Sequence, residues 1–545
     1  MATITISDSV SNGGWGIVEG TTGGESRAIN NSYKFICEFR NSLNNGDIIQ
    51  LDPGIYEFNM MYFQTKDNIE LRTNPNKTGT ATIRFKSVSG RPSPPCVDWD
   101  WGGGAAWMKV SNADNFHIHD LKVDGKEADI GGGIWVVNRA KNGLIENIRV
   151  DDAATVSLIA GPNESNNPPH DIEFKNCKVY GQRVRVTGKA QFLAGGHSYN
   201  VTFRNCKSYA ESATTNKSSP ITLFGTDNAT NIKYIDCLAV GTFTPNNSEN
   251  NRVGAGFWQE GSDEASSELH SCTFRKTAGG IGQTETPENG GVLDIKAYNC
   301  TIDRCNQKGS NVRPWAAWSQ GLNNRFELHN CTFQKNGVHN NTTIFHGGGI
   351  QFGGNGYSLV KNCTFEDTVS GYNITWYGTG ENEQPATEYT IQNNTFDANL
   401  RTHDAGVVNG TVYENWNTLT NGAQYMEGNG TDWEWIHQTN GDLKSAITAV
   451  INSPTSNTTV GVYYDSHTTN VQYSNGEPYN SMLYEMRSAI NNDSSAQITA
   501  EINIVDATIT LTQKDGASGS SVSFVIDWND WQNGQPFSDM NPSMQ

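Results

Sequence analysis

The sequence predicts a mostly β protein: a right-handed, three-strand parallel β-helix with an N-terminal capping helix and a C-terminal α+β domain. Three observations predict it. A phrase recurs about every thirty residues, an Asn or Asp holds the same place in nearly every repeat, and cysteines fill the place after it.

The phrase reads apolar, any, Asn or Asp, apolar or Cys, any, apolar, and runs from residue 118 to 396, as in Ile118-His119-Asp120-Leu121-Lys122-Val123. Its fourth position falls at Leu121, Ile148, Cys177, Cys206, Cys237, Cys272, Cys300, Cys331, Cys363 and Asn394, at intervals of 27 to 35 residues. The first and fourth positions are three apart, so both cannot face inward along one flat strand, and the chain must bend between them. At the bend stand Asp120, Asn147, Asn176, Asn205, Asp236, Ser271, Asn299, Asn330, Asn362 and Asn393. Asn and Asp tolerate the left-handed conformation of a tight corner, and stacked amides can hydrogen-bond from coil to coil. A third strand per coil is predicted at Ile134-Trp135-Val136, Val156-Ser157-Leu158, Ile221-Thr222-Leu223, Ala255-Gly256-Phe257, Ile350-Gln351-Phe352 and Ile374-Thr375-Trp376.

Seven of the ten cysteines occupy the ladder. Equivalent Cβ atoms of neighbouring coils stand about 4.8 Å apart, beyond the usual spacing of a disulfide, and no CxxC pair is present. The cysteines therefore read as small apolar filler, and free thiols suit folding in a reducing compartment.

In chain order, residues 1–30 are rich in Gly and Ser and read as an arm or adaptor. From Ser32 to Leu43, Phe35, Ile36, Phe39 and Leu43 share one helical face, with Asn31 or Ser32 as cap, which predicts a plug for the open end of the solenoid. Next, Gly46-Asp47 turns the chain, Ile49 and Leu51 alternate inward, and Pro53-Gly54 turns it again before Tyr56 and Phe58. The helix followed by GDxIxLxPGxY resembles the N-terminal cap and first coil of the pectin-lyase-like superfamily, whose architecture also resembles tail spikes and fibres of viruses that infect bacteria or archaea. Residues 31–110 hold the cap and first coils, and the solenoid is predicted to end near 417. From 420 to 545 the repeat is gone. A helix with Leu443, Ala446, Ile447, Val450 and Ile451 on one face follows Asp442, and Met482, Leu483, Met486 and Ile490 mark a second. Strands are predicted at 460–464, 498–505, 508–512 and 522–526, the last two joined as a hairpin through Asp515-Gly516-Ala517-Ser518-Gly519.

A net charge of −19 argues against nucleic acid or an anionic membrane as partner, and no apolar run reaches membrane-spanning length. The opening Met1-Ala2-Thr3-Ile4-Thr5-Ile6 has neither the basic nor the apolar stretch of a secretory signal.

Outward positions of a parallel β-helix form stripes along which a glycan can lie. Trp135, Trp258, Trp318 and Trp376 fall in or beside the third strands, with Trp315 in a loop before one, as candidate sugar-stacking faces; the register also allows Trp376 to point inward. Glu260, Asp263 and Glu264 in one coil and Glu285 in the next are candidate catalytic acids, because glycoside hydrolysis needs two carboxyl groups facing one bond. Loop acids on an acidic chain are more often solvated surface. Asp124 and Asp151 fall one coil apart, where their repulsion invites a Ca²⁺ ion, though no calcium-loop pattern and no Arg of the pectate-lyase type stands beside them. His170-Asp171 reads as a turn.

Three functions follow as expectations. The resemblance implies a virion spike or fibre, a homotrimer made in the host cytoplasm, docking on tail or baseplate proteins through its N-terminal region and binding a cell-surface polysaccharide. The alternatives are an extracellular polysaccharide lyase or glycoside hydrolase, and a non-catalytic adhesin. No cofactor beyond the candidate Ca²⁺ is implied.

Overall fold

A computed structural model describes residues 3–7, 15–20, 28–29, 43–58, 60–86, 105–128, 130–154, 156–161, 167–182, 190–210, 222–241, 255–277, 279–283, 291–305, 315–321, 324–337, 348–353, 356–369, 371–377, 388–402, 410–426, 433–437, 447–450, 458–464, 467–473, 479–493, 498–503, 508–513 and 524–528. From Ile48 to His437 the chain winds through three parallel sheets. Sheet A begins at Ile48–Leu51 and ends at Trp433–His437; sheet B runs from Gly54–Phe58 to Thr418–Leu419, and sheet C from Met60–Gln64 to Tyr425–Met426. Sheets B and C have 13 strands each. Each strand pairs in parallel with its equivalent one coil away, as Lys141–Glu146 does with His170–Lys175. Parallel crossovers of this kind are right-handed.

The ten corner residues between sheets A and B all adopt φ between 50 and 55°. Their amides bridge coils: Asn147 Nδ2 donates to Asp120 Oδ1 at 2.9 Å, Asn205 to Asn176 at 2.8 Å, and Asn393 to Asn362 at 2.8 Å. A second ladder, absent from the sequence reading, stands where the chain enters sheet A. Asn115, Asn142, Asp171, Asn200 and Asn231 have φ between 52 and 56°, and Asn200 Nδ2 donates to Asp171 Oδ1 at 2.9 Å. His170-Asp171 belongs to this corner, with His170 Nδ1 2.7 Å from Asp171 Oδ2.

Because each coil repeats its predecessor, like side chains stack inside. Phe174, Phe203 and Tyr234 lie ring on ring at 4.9 Å spacing, and Phe333 covers Phe365 at 4.5 Å. The seven ladder cysteines are free and buried, as is Cys305. Their thiols donate to carbonyls of the preceding coil, as Cys206 Sγ does to Phe174 O at 3.4 Å. Burial pushes the thiols of Cys206, Cys272, Cys300 and Cys363 up, and that of Cys305 up to about 11, so they stay protonated and inert. Asn394 and then Asn417 take the place of Cys in the last coils, and Asn394 N donates to Asn417 Oδ1 at 2.8 Å.

Several elements differ from expectation. The third strand lies two residues later in one coil, at Leu158–Ala160, and three later in another, at Phe224–Asp227. The solenoid runs one strand set past 417, to His437, after a turn at Asn421-Gly422 that carries no copy of the phrase. The capping helix predicted from Ser32 to Leu43 lies outside the described residues except for buried Leu43. Ahead of the first coil, Thr3–Ser7 pairs in parallel with Ile48–Leu51 and antiparallel with Trp15–Gly20, which pairs antiparallel with Ala28–Ile29. Tyr56 OH fastens this layer by donating to Ile6 O at 2.9 Å.

In the C-terminal region the helix Tyr479–Asn492 stands where expected, burying Met486 and Ile490 against Ala500. Its Asn491 amide pairs with both backbone groups of Ala500, at 2.7 and 2.8 Å. The helix predicted after Asp442 is instead a strand, Ile447–Val450, paired antiparallel with Thr508–Gln513. Ile447, Thr448 and Val450 are β-branched, and a sheet partner outweighs their helical spacing. The hairpin predicted through Asp515–Gly519 is not formed either. Thr508–Gln513 pairs with Ile498–Asn503, and Phe524–Trp528 pairs with Thr458–Tyr464 in a second sheet.

Candidate functional site

Alternation along each sheet C strand sends one residue into the core and the next outward. One outward row reads Trp135, Ile159, Leu193, Gly225, Trp258, Gly282, Trp318, Gln351, Thr375 and Arg401, each in register with the next. Gly282 makes room within it: a Cβ there would stand 2.4 Å from Trp258 Cζ3. The Trp258 ring thus lies over the glycine and meets Trp318 edge to face at 5.6 Å.

The next outward place, two residues on, holds Gly195, Asp227 and Glu260 in register. Asp227 and Glu260 end their strands on adjacent coils, with Cα atoms about 4.8 Å apart. Asn228, at φ 51°, turns the chain after Asp227; its Nδ2 donates to Asp227 Oδ1 at 3.1 Å and its Oδ1 accepts from Asp263 N at 3.0 Å. His197, one coil earlier, brings Nε2 to 3.9 Å from Asp263 Oδ2. Asp227, Glu260, Asp263 and His197 so converge on the edge where sheet C turns toward sheet A.

Beneath this edge lies a buried polar layer. Ser267 Oγ bonds to Gln259 Oε1 at 2.6 Å and to Thr226 Oγ1 at 2.9 Å, Thr226 meets Tyr234 OH at 3.0 Å, and Gln283 Nε2 donates to Ser319 Oγ at 2.9 Å. Thr226 and Gln259 are the residues immediately before Asp227 and Glu260, so satisfied hydrogen bonds fix both strand ends from inside.

Of the sequence candidates, Glu260 and Asp263 are brought together, Glu264 is exposed on the same turn, and Glu285 lies outside the described residues. Asp227 and His197 were missed. Asp227 has a sequence signal in hindsight, since Phe224-Gly225-Thr226-Asp227 aligns with Phe257-Trp258-Gln259-Glu260. Among the tryptophans, Trp376 is a core residue, 1% exposed and packed on Phe352 and Tyr389, because alternation turns it inward. Trp135, Trp258 and Trp315 are outside that core yet at most 5% exposed, with Trp135 held by Nε1 donating to Gly161 O at 3.0 Å. A sugar ring needs an open aromatic face, and of the five only Trp318 is half-buried.

Asp124 and Asp151 are in register, as the repeat predicted. Arg84 Nε lies 3.1 Å from Asp124, and Lys122 Nζ and Arg149 Nε lie 2.9 and 2.8 Å from Asp151. Three side chains of the protein thus bring positive charge to these two carboxylates. Among the described residues no group of three or more His, Cys, Asp or Glu gathers as a metal site.

The three sheets, each strand paired in parallel with its equivalent one coil away, define a right-handed parallel β-helix. No protein family and no curated protein matches the sequence. Solved structures similar to it include a rhamnogalacturonan lyase, at 15% identity over 72% of this chain and 87% of that one, with a TM-score of 0.41. Another is tailspike protein gp49 of the Acinetobacter baumannii bacteriophage Fri1, a capsular polysaccharide depolymerase, at 11% identity over 91% and 83%, TM-score 0.32. A third is the tailspike of E. coli bacteriophage HK620 in complex with a hexasaccharide, at 9% identity over 91% and 87%, TM-score 0.36.

Proposed function

We propose that the chain is a host-recognition spike or fibre carried on a virion, and that it grips a cell-surface polysaccharide at the sheet C edge around Asp227, Glu260 and Trp318. The observation that carries the glycan reading is the in-register pair Asp227 and Glu260, set beside the Trp258–Trp318 contact. Carboxylates take hydrogen bonds from sugar hydroxyls, and an aromatic edge covers the apolar face of the ring. The column of free, buried thiols supports folding where cysteines stay reduced, as in a host cytoplasm.

A second reading, favoured by the same pair, is turnover. The two carboxylates stand on adjacent coils, the arrangement from which an acid and a nucleophile can be brought to one glycosidic bond. One group would protonate the leaving oxygen and the other attack the anomeric carbon.

Binding and reducing-end release are to be measured together on a panel of purified bacterial surface polysaccharides. Trp318→Ala is expected to weaken binding at least tenfold, and Asp227→Asn with Glu260→Gln to abolish any release. Wild-type binding that neither variant alters would overturn the placement of the site. Binding without release in the wild type would leave an adhesin. Light scattering gives the assembly: the spike reading expects three times 59.6 kDa, and a monomer would remove it.

A further inference from the structure

On the outer face of sheet B, Lys122, Arg149, Lys178 and Lys207 stand in register on four successive coils. The row beside them reads Arg84, Asp124, Asp151, Tyr180 and Tyr209. Five cations therefore face two carboxylates, on a chain whose net charge is −19. The two carboxylates are consumed by Arg84, Lys122 and Arg149. Among the described residues, Lys178 and Lys207 have no carboxylate within ion-pair distance. Next to them the Tyr180 and Tyr209 rings stack at 4.8 Å and 6°, and the Arg149 guanidinium sits 4.4 Å from the Tyr180 ring centre.

We infer that this strip is a second binding site, separate from the sheet C edge, for an acidic polysaccharide lying along the helix axis. Lysines repeating about every 4.8 Å meet a polymer that carries one anionic group per sugar. The stacked tyrosines, each half-buried, offer an amphipathic platform beside them. The surrounding negative charge repels a general polyanion and leaves this strip as the place where one can settle.

Affinity electrophoresis of the full chain through gels containing polygalacturonate tests the assignment. The wild type is expected to be retarded, less so as salt rises. Lys178→Glu with Lys207→Glu is expected to lose at least tenfold in affinity at an unchanged melting temperature, and the same pair changed to Ala substitutes if charge reversal unfolds the protein. Equal retardation of wild type and variant, or free migration of the wild type at low salt, overturns the site. Stronger retardation by a single-stranded oligonucleotide than by polygalacturonate overturns the ligand class.

Discussion

An alanine methyl at Gly282 would collide with the Trp258 ring, whose Cζ3 and Cε3 stand 2.4 and 2.8 Å from the place it would take. Gly282→Ala is expected to destabilise by about 1–3 kcal/mol and to shift tryptophan fluorescence as the Trp258–Trp318 contact breaks; an unchanged spectrum would show that the ring does not depend on the glycine. A corner residue separates two contributions in the same way. Asn362 sits at φ 55°, donates to Asn330 Oδ1 at 3.0 Å and accepts from Asn393 at 2.8 Å. Asn362→Gly loses the amide bonds alone, whereas Asn362→Ala adds the left-handed strain of about 1–2 kcal/mol. The alanine variant should melt lower, and equal melting would mean that conformation is not what asparagine supplies.

At the scale of elements, the outer face of sheet A binds histidines to carboxylates. The His329 hydrogen bond, at 3.0 Å, holds the Glu327 carboxyl below the usual range, and His170 with Asn200 does the same for Asp171. A carboxyl whose pKa is lower folded than unfolded contributes stability above the unfolded value, about pH 4, and loses it as pH falls through the folded value. The melting temperature of the wild type should thus exceed that of Glu327→Gln with Asp171→Asn at pH 6, and the gap should close toward pH 3. A gap that persists there would place its origin elsewhere. Elements also mark what was legible in advance. The coil pitch, the left-handed corners and the inward cysteines were readable because each is local and repeats. Asp227 was not, since acids counted in loops carry no register and only strand pairing sets it beside Glu260. The strand Ile447–Val450 failed for a related reason: its partner Thr508–Gln513 lies far along the chain, and nothing nearby announces it.

For the whole molecule, stability comes from repetition, with each coil resting on the one before and Asp124 and Asp151 paired to cationic side chains of neighbouring strands. A chelator such as EDTA should leave the melting temperature unchanged, because Arg84, Lys122 and Arg149 already balance those carboxylates; a fall would restore calcium to the account. The layer ahead of the first coil bears on a different hazard. A stack of parallel strands can in principle grow without limit, one molecule continuing another into a fibre. Here Thr3–Ser7 takes the leading edge of sheet A, and Trp15–Gly20 then runs against the direction of every coil. The last strand of that layer, Ala28–Ile29, has only two residues. An incoming solenoid would find only those two residues to land on, so sheet A carries its own terminator against polymerisation.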